Sequence, residues 1–346
     1  MREFSIALAF GALLSVFGCS GDKATSPVLH GAGSTFVQPM MVQWSYVYGA
    51  REGGCKIDYR GLGSGSGIKH LIENDVDFAC TDGPMSDEEM EMARKAVGEV
   101  IHIPLVLGAV VPVYNLEEIS EPLQFTGPVL ADIFLGKIKK WNEEPIRKLN
   151  PNVKLPDIEI RVVHRRDKSG TTYVWCDYLA KTSPEWEKHV GKGNDPKWPV
   201  GDAVNLNEGM ADFVLETPGS IGYVELSYAY SKDLTIGRVQ NRENEFVRVT
   251  LKSVTTAVNN ALVHIPDDLR FSVTDAPGKG SYPISSATWA VVYVNQRHGN
   301  GRQLVDFLKW AVDDGQQYAE ASFYAKLPPR LVELAGRKID QIKVSN

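Results

Sequence analysis

The chain has 346 residues, enough for two domains with a core apiece. Apolar residues make up 43% and charged residues 23%, the balance of a globular protein and not of a disordered chain or a membrane bundle. Lys and Arg number 37 against 43 Asp and Glu, a net charge of −6, which argues against nucleic acid as a partner because phosphate-backbone binding needs a basic face.

The N-terminus reads as a targeting segment. From Phe4 to Phe17 the chain is almost wholly apolar, with Arg2 before it and Gly18, Cys19 and Ser20 after it. That run is too short to span a bilayer as a helix and fits a signal peptide over residues 1–18. Val16-Phe17-Gly18-Cys19 resembles a bacterial lipobox, which predicts lipidation of Cys19 and an anchor on the periplasmic or extracellular face of a bacterial membrane. Phe17 is bulky for that motif, and Glu3 weakens the basic start. Removing residues 1–18 deletes one Arg and one Glu, so the charge stays at −6. Residues 19–27 read as a linker. Beyond Cys19, Cys55, Cys80 and Cys176 allow at most one disulfide, and no CxxC pair suggests zinc.

Val28–Gly33 predicts a strand and Phe36–Tyr48 a helix, with Pro39 tolerable in its first turn. Lys56–Arg60 is a second strand, followed by the glycine-rich Gly61–Gly67 and a helix through Ile72. Val76–Thr81 is a third strand. Ser86, with Glu88 and Glu89, opens a helix to about Ala96. Ile101–Tyr114 is apolar and strand-like. Asp132–Leu135 and Ile146–Leu149 look helical, and Ile158–Val163 is a strand. A Ser-Gly-Thr-Thr turn then opens a helix through about Leu179. Met210–Glu216 is helical, and Ile221–Val224 and Thr288–Val294 are strands. Arg302–Asp314 carries Leu304, Val305, Leu308 and Val312 at helical spacing. Alternating strands and helices predict an α/β fold with mostly parallel sheets. No linker interrupts mid-chain. The expectation is therefore two interwoven lobes, 28–107 plus 280–346 and 108–279, with Asp275–Ser281 as a return crossover.

Three segments share one layout of strand, small polar turn and helix start: Gly31–Phe36, Gly61–Gly67 and Arg165–Thr172. A helix N-terminus carries unpaired N–H groups and about half a positive charge. In parallel α/β sheets such ends line the ligand crevice. Three of them facing one cleft, with Arg165, would hold an anion. A Gly-Ser turn alone is most often only a cap; the coincidence of three is what points to a ligand. Enzyme patterns are missing. There is no P-loop lysine and no G-x-S-x-G elbow, and Gly61–Ser66 lacks the third glycine of a dinucleotide fingerprint. The seven His residues never take metal-ligand spacing; His164 reads as a packing residue.

At this point the sequence resembles the periplasmic phosphate-binding proteins of Pst-type ABC transporters. The matching segments are Gly31–Phe36, Tyr59–Ser64, Asp77–Asp82, Leu135–Asn142, Arg165–Thr171, Ile221–Glu225 and Tyr282–Ser286. They come in the family's order and span the mature chain. The resemblance implies a two-lobed periplasmic-binding-protein fold whose crossover strands act as a hinge. It implies no enzyme activity and no cofactor or metal. The partners it implies are inorganic phosphate and membrane permease subunits, and we expect a monomer. It further implies phosphate ligands at Thr35, Phe36, Ser64, Asp82, Arg165, Ser169, Gly170 and Thr171, with Asp167 paired to Arg165. Asp82 would accept the proton that phosphate retains and sulfate lacks. Departures from the family pattern are Arg166, Lys168 and the loop Asn205–Gly209, which put the cleft rim in question.

The rival readings are a binding protein for another oxyanion, such as molybdate, tungstate or sulfate, and a secreted phosphatase. Asp82 argues against fully deprotonated anions. A phosphatase needs a nucleophile with a base, or a two-metal cluster, and neither is visible. A surface protein that kept the fold and lost the site is disfavoured by the intact ligand positions.

Overall fold

The computed structural model describes residues 27–344 except 118, 120, 297 and 298. The expected signal peptide and Cys19 lie outside the described residues. The strands of the two larger sheets are β1 (Val28–Gly33), β2 (Lys56–Gly61), β3 (Phe78–Thr81), β4 (Val100–Tyr114), β5 (Gln124–Phe125), β6 (Arg161–Arg165), β7 (Asp202–Val204), β8 (Ser220–Glu225), β9 (Thr235–Ile236), β10 (Arg238–Gln240), β11 (Phe246–Val247) and β12 (Ser285–Tyr293). One sheet runs β2-β1-β3-β12-β4-β8-β6-β7, with β9 beside β4.

The expected parallel pairing holds on the flanks. β1 runs parallel to β2 and β3, and β6 runs parallel to β7 and β8. The centre is antiparallel: β12 opposes β3 and β4, and β4 opposes β8. This is the α/β, two-lobed fold, with β4 as the crossover strand and β12 paired wholly within the first lobe's half of the sheet. The partner of β4 changes from β12 to β8 between Ala109 and Val110. Its 15 residues thus belong to both lobes, and almost all are buried because both faces are covered.

Each lobe is a sheet between helices. In the first, Ala32, Ile68, Leu71 and Ala93 fill one face, and Met40, Trp44, Phe307 and Leu308 the other. In the second, Trp175 stacks on Tyr223 with centroids 5.0 Å apart. Val214 and Met210 cover the opposite face, over Gly222.

A further link joins the lobes. Leu269 O accepts from Trp289 Nε1 (2.8 Å) and Arg270 Nη1 reaches Asp87 (2.8 Å), while Ser272 Oγ donates to Asp177 Oδ2 (2.5 Å) on helix Gly170–Thr182. Asp275–Ser281, expected as the crossover, is instead a turn held on the 241–245 loop by Gly278 N to Glu243 and Gly280 N to Glu245.

Some boundaries move for local reasons. The first helix begins at Gln38 because Pro39 has no N–H to give Thr35 O, and Phe36 O is taken by the Tyr324 hydroxyl (2.6 Å). The strand expected over Ile158–Val163 is Arg161–Arg165. Ile160 N goes to Lys139 O instead (2.7 Å), which holds that stretch outside the sheet. The helices Pro184–His189, Leu226–Ser231, Leu251–Ala261 and Pro329–Ile339 were not anticipated.

Candidate functional site

The three strand-turn-helix segments converge. Gly33 O accepts both Leu62 N and Gly63 N at 2.9 Å, which ties the first loop to the second. Gly65 N donates to Lys168 O at 3.0 Å, which ties the second to the third across the lobe gap. A Cβ on Gly170 would strike Ser64 Oγ, Asp82 Oδ2 (2.5 Å) and Asp82 N (2.7 Å). Only glycine lets the third loop come this close.

Arg165 ends β6 and is 3% exposed. Its Nε and Nη2 donate to Asp167 at 2.7 and 2.5 Å. Its Nη1 is buried and has no hydrogen-bond partner among the described residues. Burial alone would raise Asp167. The Arg165 guanidinium and the Leu206 N–H outweigh it and hold that carboxyl below its ordinary pKa. The helix Gly170–Thr182 starts beside it. Ser169 Oγ caps it by accepting from Thr172 N (3.1 Å).

Asp82 is 1% exposed. Its carboxylate accepts from Ser34 Oγ (2.6 and 2.7 Å) and Thr288 Oγ1 (2.7 Å), with Ser64 Oγ at 3.5 Å. Oδ2 is the oxygen facing Ser64 and Gly170. Burial pushes the carboxyl up to about 6, against the Ser34 and Thr288 hydroxyls, the Arg165 charge and Ser64. A second buried acid lies nearby. Glu225 ends β8, and burial pushes it up to about 8 against its Ser227 bonds, with the Asp82 charge adding to the rise. Its Oε2 accepts from Ser227 N (2.9 Å) and from Ser227 Oγ, and its Oε1 is buried without a partner among the described residues.

The structure therefore gathers Thr35, Ser64, Asp82, Arg165, Asp167, Gly170 and Thr171, and puts Ser169 at the cap of the same helix. Phe36, expected among the ligands, has its backbone N–H on Ser34 Oγ (2.9 Å). Of the rim residues, Arg166 turns to the sheet edge, donating to Ala203 O (2.9 Å). The Lys168 side chain packs on Gly65. His164 stacks on Trp198 at 4.6 Å, and burial lowers its pKa, as suits a packing residue. Beside the third loop lies a cavity of about 790 Å³ lined by Gly83, Lys168, Gly170, Tyr173, Lys192 and Arg270.

Sequence reasoning missed Ser34, Thr288, Asn207, Glu225 and Tyr228. Asn207 is fully buried and contacts Thr35 and Thr171. Tyr228 OH donates to Thr35 O (2.9 Å). Ser34 and Glu225 lay inside motifs already singled out, so position in a motif was the available signal.

Comparison with known proteins follows this geometry. The PBP superfamily domain matches residues 20–315. A phosphate-binding protein PstS of Xylella fastidiosa is 39% identical over 317 residues, covering 91% of this chain and 85% of its own. The PstS of Pasteurella multocida is 36% identical over 329 residues, covering 94% and 93%. A solved high-affinity periplasmic phosphate-binding protein, with phosphate bound, superposes with a TM-score of 0.70 at 18% identity, over 89% of this chain and 92% of that one. At that identity the likeness speaks for the fold.

Proposed function

This chain belongs to the PBP superfamily and, within it, to the PstS phosphate-binding proteins, and from that membership we propose that it binds one inorganic phosphate between its lobes and hands it to a membrane ABC permease for uptake. The observation that carries the site is Arg165 Nη1, a buried cationic donor aimed from a strand end with no partner among the described residues. A buried donor left unpaired costs about 1–3 kcal/mol, more when charged, so the position calls for an acceptor. The ligand set is Thr35, Phe36, Ser64, Asp82, Arg165, Ser169, Gly170 and Thr171, with Asp167 steering Arg165 through its other two nitrogens.

Two helix starts and several hydroxyls supply neutral donors, and one guanidinium supplies charge. The acidic net charge is no obstacle. Exposed charges are screened beyond a Debye length of about 8 Å at physiological salt, whereas donors in contact are not. Phe36 N–H would pass from Ser34 Oγ to the anion on binding. Closure shuts water out and strengthens each bond within.

Asp82 supplies selection. Phosphate near neutral pH retains a proton and can donate it to Oδ2. Sulfate has none, so it would face an uncompensated carboxylate. Denying a buried group its partner is worth roughly 10⁴–10⁵-fold. The raised pKa of Asp82 makes it a better proton acceptor than an ordinary carboxylate. The protein would work as a monomer held on the outer face of a bacterial membrane through Cys19, with the permease and its ATPase as separate chains. Calorimetric titration with phosphate and sulfate at matched pH and salt tests the reading. Phosphate binding with sulfate ignored is expected; equal binding of both, or of neither, overturns it. Release of product from a phosphate ester would favour the phosphatase.

A further inference from the structure

Asn207 bridges the lobes. Its amide nitrogen donates to Thr35 Oγ1 at 3.0 Å and to Thr171 Oγ1 at 3.1 Å, one hydroxyl from each lobe. Its amide oxygen accepts the Glu225 backbone N–H at 3.1 Å. This last contact fixes which way the amide points. A backbone N–H only donates, so the atom opposite it is the oxygen, and the nitrogen faces the threonines. An amide nitrogen carries hydrogens and accepts nothing, so both threonine oxygens act as acceptors here. Each hydroxyl has a single hydrogen, and that hydrogen must point away from Asn207. Among the described residues, neither hydroxyl donates it to another group.

We infer that Asn207 is a positioning residue that commits the Thr35 and Thr171 hydroxyls to donate into the cleft. The inference rests on reading that cleft as the phosphate site. A lone hydroxyl can rotate and present either a hydrogen or a lone pair. With a lone pair already engaged by Asn207, each hydroxyl is oriented before the anion arrives, and less ordering is left for binding to supply. Phosphate offers mostly acceptor oxygens, so a site with one intended acceptor, Asp82, needs its other groups held as donors. Asn207 does this for both lobes at once, and only when they are together.

The placement of Asn207 is built by its neighbours. Leu206 sits at φ +63°, in the left-handed region that favours glycine. That turn delivers the Leu206 N–H to Asp167 Oδ1 (2.9 Å) and sends the next side chain into the cleft. The same short loop therefore orients the guanidinium partner and both hydroxyls.

A double-mutant cycle read by calorimetry, with phosphate up to millimolar, tests this. The four proteins are wild type, Asn207→Ala, Thr35→Val/Thr171→Val, and the combination. Asn207→Ala is expected to weaken phosphate about tenfold in the wild-type background, the scale of one lost hydrogen bond. In the valine background it should change affinity by about twofold or less, because no hydroxyls remain to be oriented. The same loss in both backgrounds would overturn the inference and leave Asn207 as scaffold. If the alanine variant melts below the assay temperature, Asn207→Ser is put through the same cycle and judged by the same ratio. A wild type that does not bind phosphate removes the phosphate reading itself, which the first titration shows before any variant is made.

Discussion

Arg165 spends two of its three nitrogens on Asp167 and keeps Nη1 for something else. Arg165→Ala should therefore weaken phosphate ten- to hundredfold, the scale of a charged hydrogen bond at about 1.5–3 kcal/mol, with the fold retained. Unchanged affinity by calorimetry would put the anion elsewhere. Asp82 carries selection, so Asp82→Asn should admit sulfate while costing phosphate little, since the amide can both donate and accept. A variant that melts lower yet still ignores sulfate would make Asp82 a plain structural acceptor for Ser34 and Thr288. Glu225 gives a stability prediction. Its folded-state pKa stands near 8 against an ordinary 4.5. Between those values the folded state holds more protons than the unfolded one, so stability falls as pH rises through that window. At about 1.4 kcal/mol per pKa unit the burden by pH 8 is several kcal/mol. Glu225→Gln cannot ionise, so its melting temperature should gain on wild type between pH 5 and pH 8. Parallel curves would mean that Glu225 does not titrate in this range.

At the scale of elements, the helix Gly170–Thr182 meets the first lobe at its first residue. Gly170→Val would drive side-chain atoms into Ser64 and Asp82 across the gap. Opening the lobes relieves that clash, so we expect an unchanged melting temperature and a loss of phosphate affinity of at least about a hundredfold. Ser169→Ala removes one hydroxyl and should cost about tenfold. Equal small effects in titration would reduce the segment to a helix cap. These loops were legible in the sequence because one strand-turn-helix layout occurs three times, although a single Gly-Ser turn is most often only a cap. Arg165 was legible as a cation beside the third turn, whereas the roles of Asp82 and Asp167 came from the family resemblance. Asn207 was not legible. Its loop read only as a departure, because Leu206 occupies a backbone conformation that leucine seldom takes. Thr288 and Tyr228 were hidden in apolar or helical stretches, and only the pairing of β12 with β3 and β4 brings Thr288 to Asp82. The antiparallel centre escaped notice for the same reason. Local periodicity reports a strand but not the direction of its neighbour.

For the molecule as a whole, β4 and the 269–274 strap are common property of both lobes. Neither lobe has a complete core without them, so heating should give a single transition rather than two. Cys55, Cys80 and Cys176 are buried and free, so that transition should not move when a reducing agent is added. Two resolved transitions in a calorimetric scan, or a drop on reduction, would contradict this. The place of β12 also bears on how the chain is made. It lies between β3 and β4, yet it begins only at Ser285, long after both have been synthesised. The partner of the other half of β4, β8, is complete by Glu225. As the chain leaves the ribosome, the second lobe can therefore assemble its sheet while the first still has a gap at its centre. The lobe that starts first finishes last, and its closure waits on contacts far apart in sequence, the kind that form slowly. Until the last sixth or so of the chain emerges, β3 and β4 remain unjoined, and the first lobe is the one left open to misassembly.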